Sequence, residues 1–240
     1  LFLNGSKTFA TGSGYVSRPL VTAAMPDGSW QMCIVPLDEI SSLSDSSWWH
    51  PMGMKASRSF KISFLNAPIH KLNILGKGGD YYSQPAFGGG AIRFAAVQLG
   101  GAEKLLDETK IYLKSLNRTD DPYQNKRIGE MAIAVESGNL WIAAAAQMLD
   151  SNMMDSKKFT AESLVNYANM MRTAVEQICT LVISHCMACV GARGLNKPHH
   201  FDRMIRDLQT YLRQPAPDAV LSDVGSHFLK SEKTSGNFQT

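Results

Sequence analysis

Long runs of one charge are missing from this sequence. Its 24 basic and 21 acidic residues are dispersed through 240 positions, leaving a net charge of +3. The densest basic cluster is Arg118, Lys126 and Arg127, which reads as a solvated helix face, so nucleic acid is a poor candidate partner. Cysteine is scarce as well, with four at positions 33, 179, 186 and 189. His185, Cys186 and Cys189 lack the second ligand pair of a zinc centre, so no metal site is expected. That C-x-x-C lies inside AVEQICTLVISHCMACVG, where cysteine behaves as a small buried hydrophobe. Unpaired buried thiols fit a reducing, cytoplasmic setting. No apolar run reads as long enough to cross a bilayer and no signal peptide is visible, so a membrane is not expected as partner. An initiator methionine is also missing. LFLNGSKTF begins as though already inside a strand, which reads as part of a longer polypeptide.

What is present is ample for a core, since 44% of the residues are hydrophobic, and the length allows one or two domains. Residues 1–75 carry short β-rich runs. Asp27-Gly28 separates two of them as a hairpin turn. In RSFKISFLN, Phe60, Ile62 and Phe64 alternate with Lys61 and Ser63, giving one buried and one wet face. The first part is therefore expected to be a small antiparallel β-barrel or sandwich. Residues 76–90, GKGGDYYSQPAFGGG, lack the Lys-Ser or Lys-Thr ending of a phosphate loop and read as a linker.

From Ala91 the period becomes helical. A first helix is predicted to about Leu116. Asp121 and Pro122 supply an N-cap and first-turn proline for a second, running to about Leu149. Thr160 caps a third that Gly191 and Gly194 end near Val190. A fourth starts near His200, and a fifth covers Val220 to Leu229. Long antiparallel helices joined by short loops make an up-and-down four-helix bundle over residues 91–240, and the fold class is α+β. The stretch NLWIAAAAQML would allow close helix approach, within the chain or between subunits.

Several words in this order resemble the flavin-dependent acyl-CoA dehydrogenase superfamily. LNGSKTFATGSGYVS resembles its L-N-G-x-K-x-[FW]-[IA]-T strand, and HPMGMKASRSFKISFLNAPI its G-M-[RK]-x-[ST] segment. LGGAEKLLDETKIYL resembles the start of the first bundle helix, and VGARGLNKPHHFDRMIRDL resembles G-G-x-G-[YL] followed by R-x-x-R-D. The resemblance covers a middle β-domain and a C-terminal bundle. It does not cover the family's N-terminal helical domain or the T-E-P-x-x-G-S-D-like segment.

The resemblance implies an FAD-dependent oxidoreductase. In the family strand a threonine hydrogen-bonds the isoalloxazine edge and the aromatic two residues earlier packs on the ring. The matching positions are Thr11 and Phe9. Gly191, Ala192 and Gly194 match a loop that reaches the FAD of a partner subunit, although the usual glycine pair is Gly-Ala here and the preceding glutamine is Ala188. Arg118 falls near an arginine that faces the FAD diphosphate, without the Phe-Gly that usually follows. Trp48 and Trp49 are expected to divide between core and pocket or interface. The implied partners are an acyl thioester, on CoA or acyl-carrier protein, or another small hydrophobic substrate, and a second copy of the chain in a homodimer or homotetramer.

The catalytic residue is unassigned. Acyl-CoA dehydrogenation needs a base for the α-proton. Aligning Arg206-Asp207 with the family's R-D pair puts Pro215 at the usual glutamate. The alternative position, FGGGAIRF, has no carboxylate either. Asp218 is the nearest carboxylate and also suits an N-cap, while Arg206 and Asp207 read as a structural pair. The resemblance implies α,β-dehydrogenation of an acyl thioester with hydride transfer to flavin N5, using an unusual base or one outside these residues. The alternatives are, second, a flavin-dependent monooxygenase of the same fold and, third, a non-catalytic flavin-binding homologue. In the second, His199, His200 or His227 are candidate polar groups, with plain surface histidine as the alternative.

Overall fold

The computed structural model describes residues 1–155, 158–213 and 216–230. The chain divides into two compact units, Leu1–Ser83 and Gln84–Thr240.

The first unit holds β1 (Phe2–Ala10), β2 (Leu20–Ala24), β3 (Trp30–Ile34), β4 (Ser42–Asp45), β5 (Phe60–Pro68) and β6 (Ile74–Leu75). They form two three-stranded antiparallel sheets, ordered β1-β5-β4 and β2-β3-β6. The β2–β3 turn has Gly28 at φ 83°, and Asp27 Oδ1 accepts from the Ser29 amide and hydroxyl at 2.9 and 2.7 Å. A positive φ and an Asx bond are what Asp-Gly supplies at low cost. Alternation along β5 buries Ile62 and Phe64, which share one core with Leu3, Val21 and Cys33. Side chains from both sheets fill that core, so the unit is a small sandwich.

The second unit holds α1 (Ala86–Ser115), α2 (Pro122–Met154), α3 (Ala161–Gly194), α4 (Phe201–Leu212) and α5 (Pro217–Lys230). The caps fall where the side chains can satisfy the first amides. Asp121 Oδ1 accepts from Tyr123 N at 2.9 Å and Gln124 N at 3.3 Å, and Thr160 Oγ1 accepts from Ser163 N at 3.1 Å. Leu99, Leu105, Met131, Met171, Val175 and Val182 are fully buried at the centre.

Four expectations are corrected. Gly88, Gly89 and Gly90, read as linker, are the first turns of α1. A Cβ on Gly88 would stand 2.8 Å from Val165 Cγ2, and one on Gly89 2.9 Å from Leu149 Cδ2. These glycines let α2 and α3 approach α1, which overrides their poor helix propensity. Second, Gly191 does not end α3. It breaks the helix at φ 58° and ψ −173°, and one more helical turn follows to Gly194. Third, α3 is long and apolar enough, by length and composition, to cross a membrane. It packs against α1, α2, α4 and α5, and a helix surrounded on so many sides needs apolar residues around most of its circumference. Fourth, Asp218 is no N-cap: α5 begins at Pro217, which puts Asp218 inside the first turn. A carboxylate there still complements the helix dipole.

The cysteines are core side chains. Burial pushes the Cys179 thiol up to about 12 with help from Glu176. Burial pushes Cys186 up to about 11, against the hydrogen bond from Thr109 Oγ1 at 3.2 Å. Because the thiolate is the reacting form, alkylation of these two cysteines at pH 8 is expected to run at least about a hundredfold slower in native protein than in urea-unfolded protein. Mass spectrometry of timed samples measures this, and equal rates would place α3 outside the core.

Candidate functional site

The first unit concentrates backbone strain at one turn. The β1–β5 register shifts twice, once between Leu3 and Gly5 and again between Lys7 and Ala10, where Ala10 meets Phe60. Within that bulge Phe9 adopts φ 54°, a left-handed conformation rarely taken by an aromatic residue. Across from it, Met54 and Arg58 are left-handed too, at 58° and 48°. The two segments are tied by Gly12 N to Ser57 O at 2.9 Å and Ser13 N to Arg58 O at 3.3 Å. Arg58 Nε donates to Ser13 O at 2.8 Å, and its guanidinium lies over the rings of Tyr15 and Phe60, 4.7 and 5.0 Å from their centres. Left-handed non-glycine residues cost on the order of 1–3 kcal/mol each and collect at functional sites. Three of the six among the described residues meet here.

Phe9 is 64% exposed and stands edge-on to Trp48 and Trp49, with ring centres 5.6 and 6.0 Å away. The expected division of the tryptophans into core and pocket is corrected: Trp48 is exposed and Trp49 half-buried. Both leave β4 through a short 3₁₀ turn, Ser46–Trp48, too close to the surface to enter the core. Trp49 Nε1 donates to Lys55 O at 3.2 Å, which fixes its ring beside Phe9. Under the turn lies a cavity of about 270 Å³, lined by Lys7, Phe9, Thr11, Val21, Phe64 and Tyr81 among others. Thr11 is exposed, and its hydroxyl lies 2.8 Å from the Ser59 hydroxyl, itself 2.8 Å from that of Ser57. The turn thus offers an aromatic wall, a hollow of mixed polar and apolar lining and a hydroxyl at the rim.

In the second unit, the end of α1, the start of α2 and the end of α3 come together. Arg118 follows α1 with its side chain exposed, and its amide donates to Leu113 O at 3.0 Å after Asn117 turns left-handed at φ 52°. Gly194 is buried, and a Cβ there would stand 2.5 Å from Val190 Cβ and 3.4 Å from Tyr112 Cζ. The Tyr112 ring is edge-on to His199 and Phe201 at 5.1 and 5.7 Å. The Cys189 thiol is raised by burial and sensed by Arg127 and Asp121, which places the start of α2 beside it. Gly191 and Ala192 are exposed. So Arg118, Gly191, Ala192 and Gly194 share one end of the bundle, while Phe9 and Thr11 share the strained turn of the first unit.

The acid and histidine groups sort differently. Arg206 forms its ion pair with Asp202 one turn earlier, at 3.0 Å. Neighbouring helix positions 206 and 207 point apart, which corrects the pairing expected within Arg206-Asp207. His227 Nδ1 lies 3.0 Å from Glu162, His199 stands edge-on to Tyr112, and His200 is exposed before α4. FGGGAIRF lies in the opening turns of α1. Pro215 lies outside the described residues.

The aromatic trio and the Ser57–Ser59 link were missed in the sequence. The adjacent pair Trp48-Trp49 was the signal for the first, while the left-handed Arg58 that brings the Ser57 and Ser59 hydroxyls together has no local signature.

Residues 76–212 match the family model described as acyl-CoA dehydrogenase, C-terminal domain. Dibenzothiophene monooxygenase from Mycolicibacterium goodii is 23% identical over 253 residues, covering 95% of this chain and 61% of that protein. Mitochondrial isobutyryl-CoA dehydrogenase from Dictyostelium discoideum is 24% identical over 240 residues, covering 96% and 56%. The crystal structure of FMN-bound TdsC from a Paenibacillus species superposes with a TM-score of 0.82 at 22% identity, covering 99% of this chain and 66% of that one. The chain thus spans about three fifths of the length of the curated relatives it matches. With more than half of its residues inside the family model, it belongs to the acyl-CoA dehydrogenase family.

Proposed function

We propose that this chain is the β-domain and helical bundle of a flavin-dependent oxidoreductase that works as a monooxygenase. The observation that carries the choice of reaction is the pair of base positions. One is Pro215, and the other is FGGGAIRF at the start of α1, which offers no carboxylate. Removal of an α-proton needs an acceptor within hydrogen-bond reach, whereas oxygen insertion does not begin with that step. The monooxygenase relative, aligned over 95% of the chain, supports the same reading.

The residues fit a flavin. The strained turn presents an aromatic wall from Phe9 and a rim hydroxyl from Thr11, suited to a planar ring with a hydrogen-bonding edge. Arg118 and the exposed backbone of Gly191 and Ala192 suit an anionic phosphate group, with Gly194 keeping the turn tight. A bound flavin supplies either hydride acceptance or, once reduced, the activation of oxygen. Phe9, Trp48 and Trp49 would exclude water from one face of the ring, and Thr11 would orient its edge. We take the cofactor to be FAD, because Arg118 and the Gly191 turn are what its diphosphate calls for. FMN is the other form, and chromatography of flavin released by heat decides between them. The exposed Gly191–Ala192 turn favours a homodimer or homotetramer in which it serves a neighbouring subunit. The unpaired thiols favour a cytoplasmic setting.

The dehydrogenase reading is the runner-up, resting on the isobutyryl-CoA dehydrogenase relative. Full-length protein supplied with a flavin reductase and NADH is expected to consume oxygen in step with oxygenation of a fused aromatic heterocycle such as dibenzothiophene. Isobutyryl-CoA under anaerobic conditions is expected to leave the yellow colour of the bound flavin unchanged. Bleaching by the acyl thioester without oxygen would instead establish the dehydrogenase.

A further inference from the structure

We propose that Ser59 and Ser57 form with Thr11 a reversible chain of hydroxyls, which lets Thr11 donate toward an oxidised flavin ring and accept from a reduced one. The inference rests on the reading of Thr11 as a flavin contact and adds to it how one side chain serves both oxidation states.

The geometry is a row of three oxygens. Thr11 Oγ1 and Ser59 Oγ are 2.8 Å apart, as are Ser59 Oγ and Ser57 Oγ, and in each link either atom can be the donor. The middle member is only 4% exposed, so its O–H must donate a hydrogen bond to one of its two neighbours rather than to water. The end members are accessible: Thr11 is exposed and Ser57 half-buried. Two orders satisfy the row. In one, Thr11 donates to Ser59, Ser59 donates to Ser57, and Ser57 donates to water. Thr11 then presents lone pairs outward. In the other, Ser57 donates to Ser59, Ser59 donates to Thr11, and the Thr11 proton points outward. Passing from one order to the other only turns three O–H bonds, and no proton leaves its oxygen.

The central ring of an oxidised flavin carries a bare nitrogen that accepts a hydrogen bond. Reduction places a proton there, and the nitrogen then donates. A threonine held as a fixed donor would favour one form only. The buried Ser59 link to the half-exposed Ser57 removes that bias, because each order costs no unsatisfied group.

Ser57→Ala tests this in the full-length protein. The Ser57 carbonyl that receives Gly12 N is backbone, so the turn keeps its tie. Without the Ser57 hydroxyl, the order in which Thr11 accepts leaves a buried Ser59 proton with no acceptor. The row is then locked with Thr11 donating outward. Dissociation constants for oxidised flavin and, anaerobically, for reduced flavin are measured separately by fluorescence and absorbance titration. Ser57→Ala is expected to lower the reduced-to-oxidised affinity ratio about tenfold, the scale of one unsatisfied buried donor. Ser59→Thr, which keeps a hydroxyl in the middle, is expected to hold the ratio within about twofold of the native value, while Ser59→Ala moves it. An unchanged ratio in Ser57→Ala, with Thr11→Val still shifting it, overturns the relay and leaves the Thr11 contact standing. If Thr11→Val changes neither affinity, the contact itself falls and the relay with it. A full-length protein that binds no flavin overturns both and the proposed function too.

Discussion

Truncation of Leu105 to alanine is expected to destabilise the bundle by about 2–5 kcal/mol. Leu105 sits at the middle of α1 with no exposed surface, in one cluster with Met131, Val182 and Cys186 from α2 and α3. Its carbonyl accepts the Thr109 hydroxyl at 2.6 Å, and that hydroxyl reaches on to Cys186. The neighbourhood is therefore tied down by a polar link as well as by packing, which limits how far it can collapse into the space left by the missing atoms. Poor collapse puts the cost toward the upper part of the range. Urea unfolding followed by far-ultraviolet circular dichroism measures it. The midpoint should fall while the denaturant slope stays constant. A loss below about 1 kcal/mol would mean that the position repacks and that Leu105 is not central to the core.

The second large effect is expected at Gly194. An added Cβ would lie 2.5 Å from Val190 Cβ, a β-branched side chain with little rotamer freedom, and close to the ring of Tyr112. Tyr112 cannot yield easily because His199 and Phe201 lie edge-on to it. Overpacking of this kind costs about 1–3 kcal/mol, and here it would also displace the turn from Gly191 to Gly194. Gly194→Ala is expected to lower stability by that amount and to weaken flavin retention by full-length protein about tenfold or more. Gly191→Ala is the control. A side chain there meets open space, so its cost is confined to the backbone, whose φ of 58° and ψ of −173° belong to a region almost reserved to glycine, about 1–3 kcal/mol. Because the Gly191 backbone itself belongs to the proposed phosphate turn, the two variants are compared in urea stability, and an unchanged stability in Gly194→Ala would show that the Val190–Tyr112 contact does not constrain the turn.

The parts of the fold legible in the sequence were those set by local chemistry. Asp121, Pro122 and Thr160 announced the starts of α2 and α3 because capping is a matter of a few neighbouring atoms. The alternation of Phe60, Ile62 and Phe64 announced β5 for the same reason. What depended on distant partners was not legible. Three consecutive glycines look like a linker until Leu149 and Val165 are seen to need the room they leave. The order β1-β5-β4 places next to β1 a strand that follows it by some fifty residues, and nothing in either run specifies that partner. At the candidate site, Phe9 and Thr11 were visible through a family word. The left-handed turn that displays them is built with Met54, Ser57 and Arg58 from another segment, and its strain has no signature in composition. Arg206 looked paired with its neighbour in the sequence, but helix geometry turns it toward Asp202 instead.

The placement of α3 has a consequence for how the molecule breathes. It touches each of the other four helices, so its middle amides can open to solvent only when the bundle as a whole comes apart. α5 has no buried residue and packs on α3, and its amides can be uncovered by a local excursion that leaves the core intact. Hydrogen exchange should therefore divide the bundle into a slow centre, where deuterium uptake in α3 reports the global free energy, and a fast outer helix that reports only its own detachment.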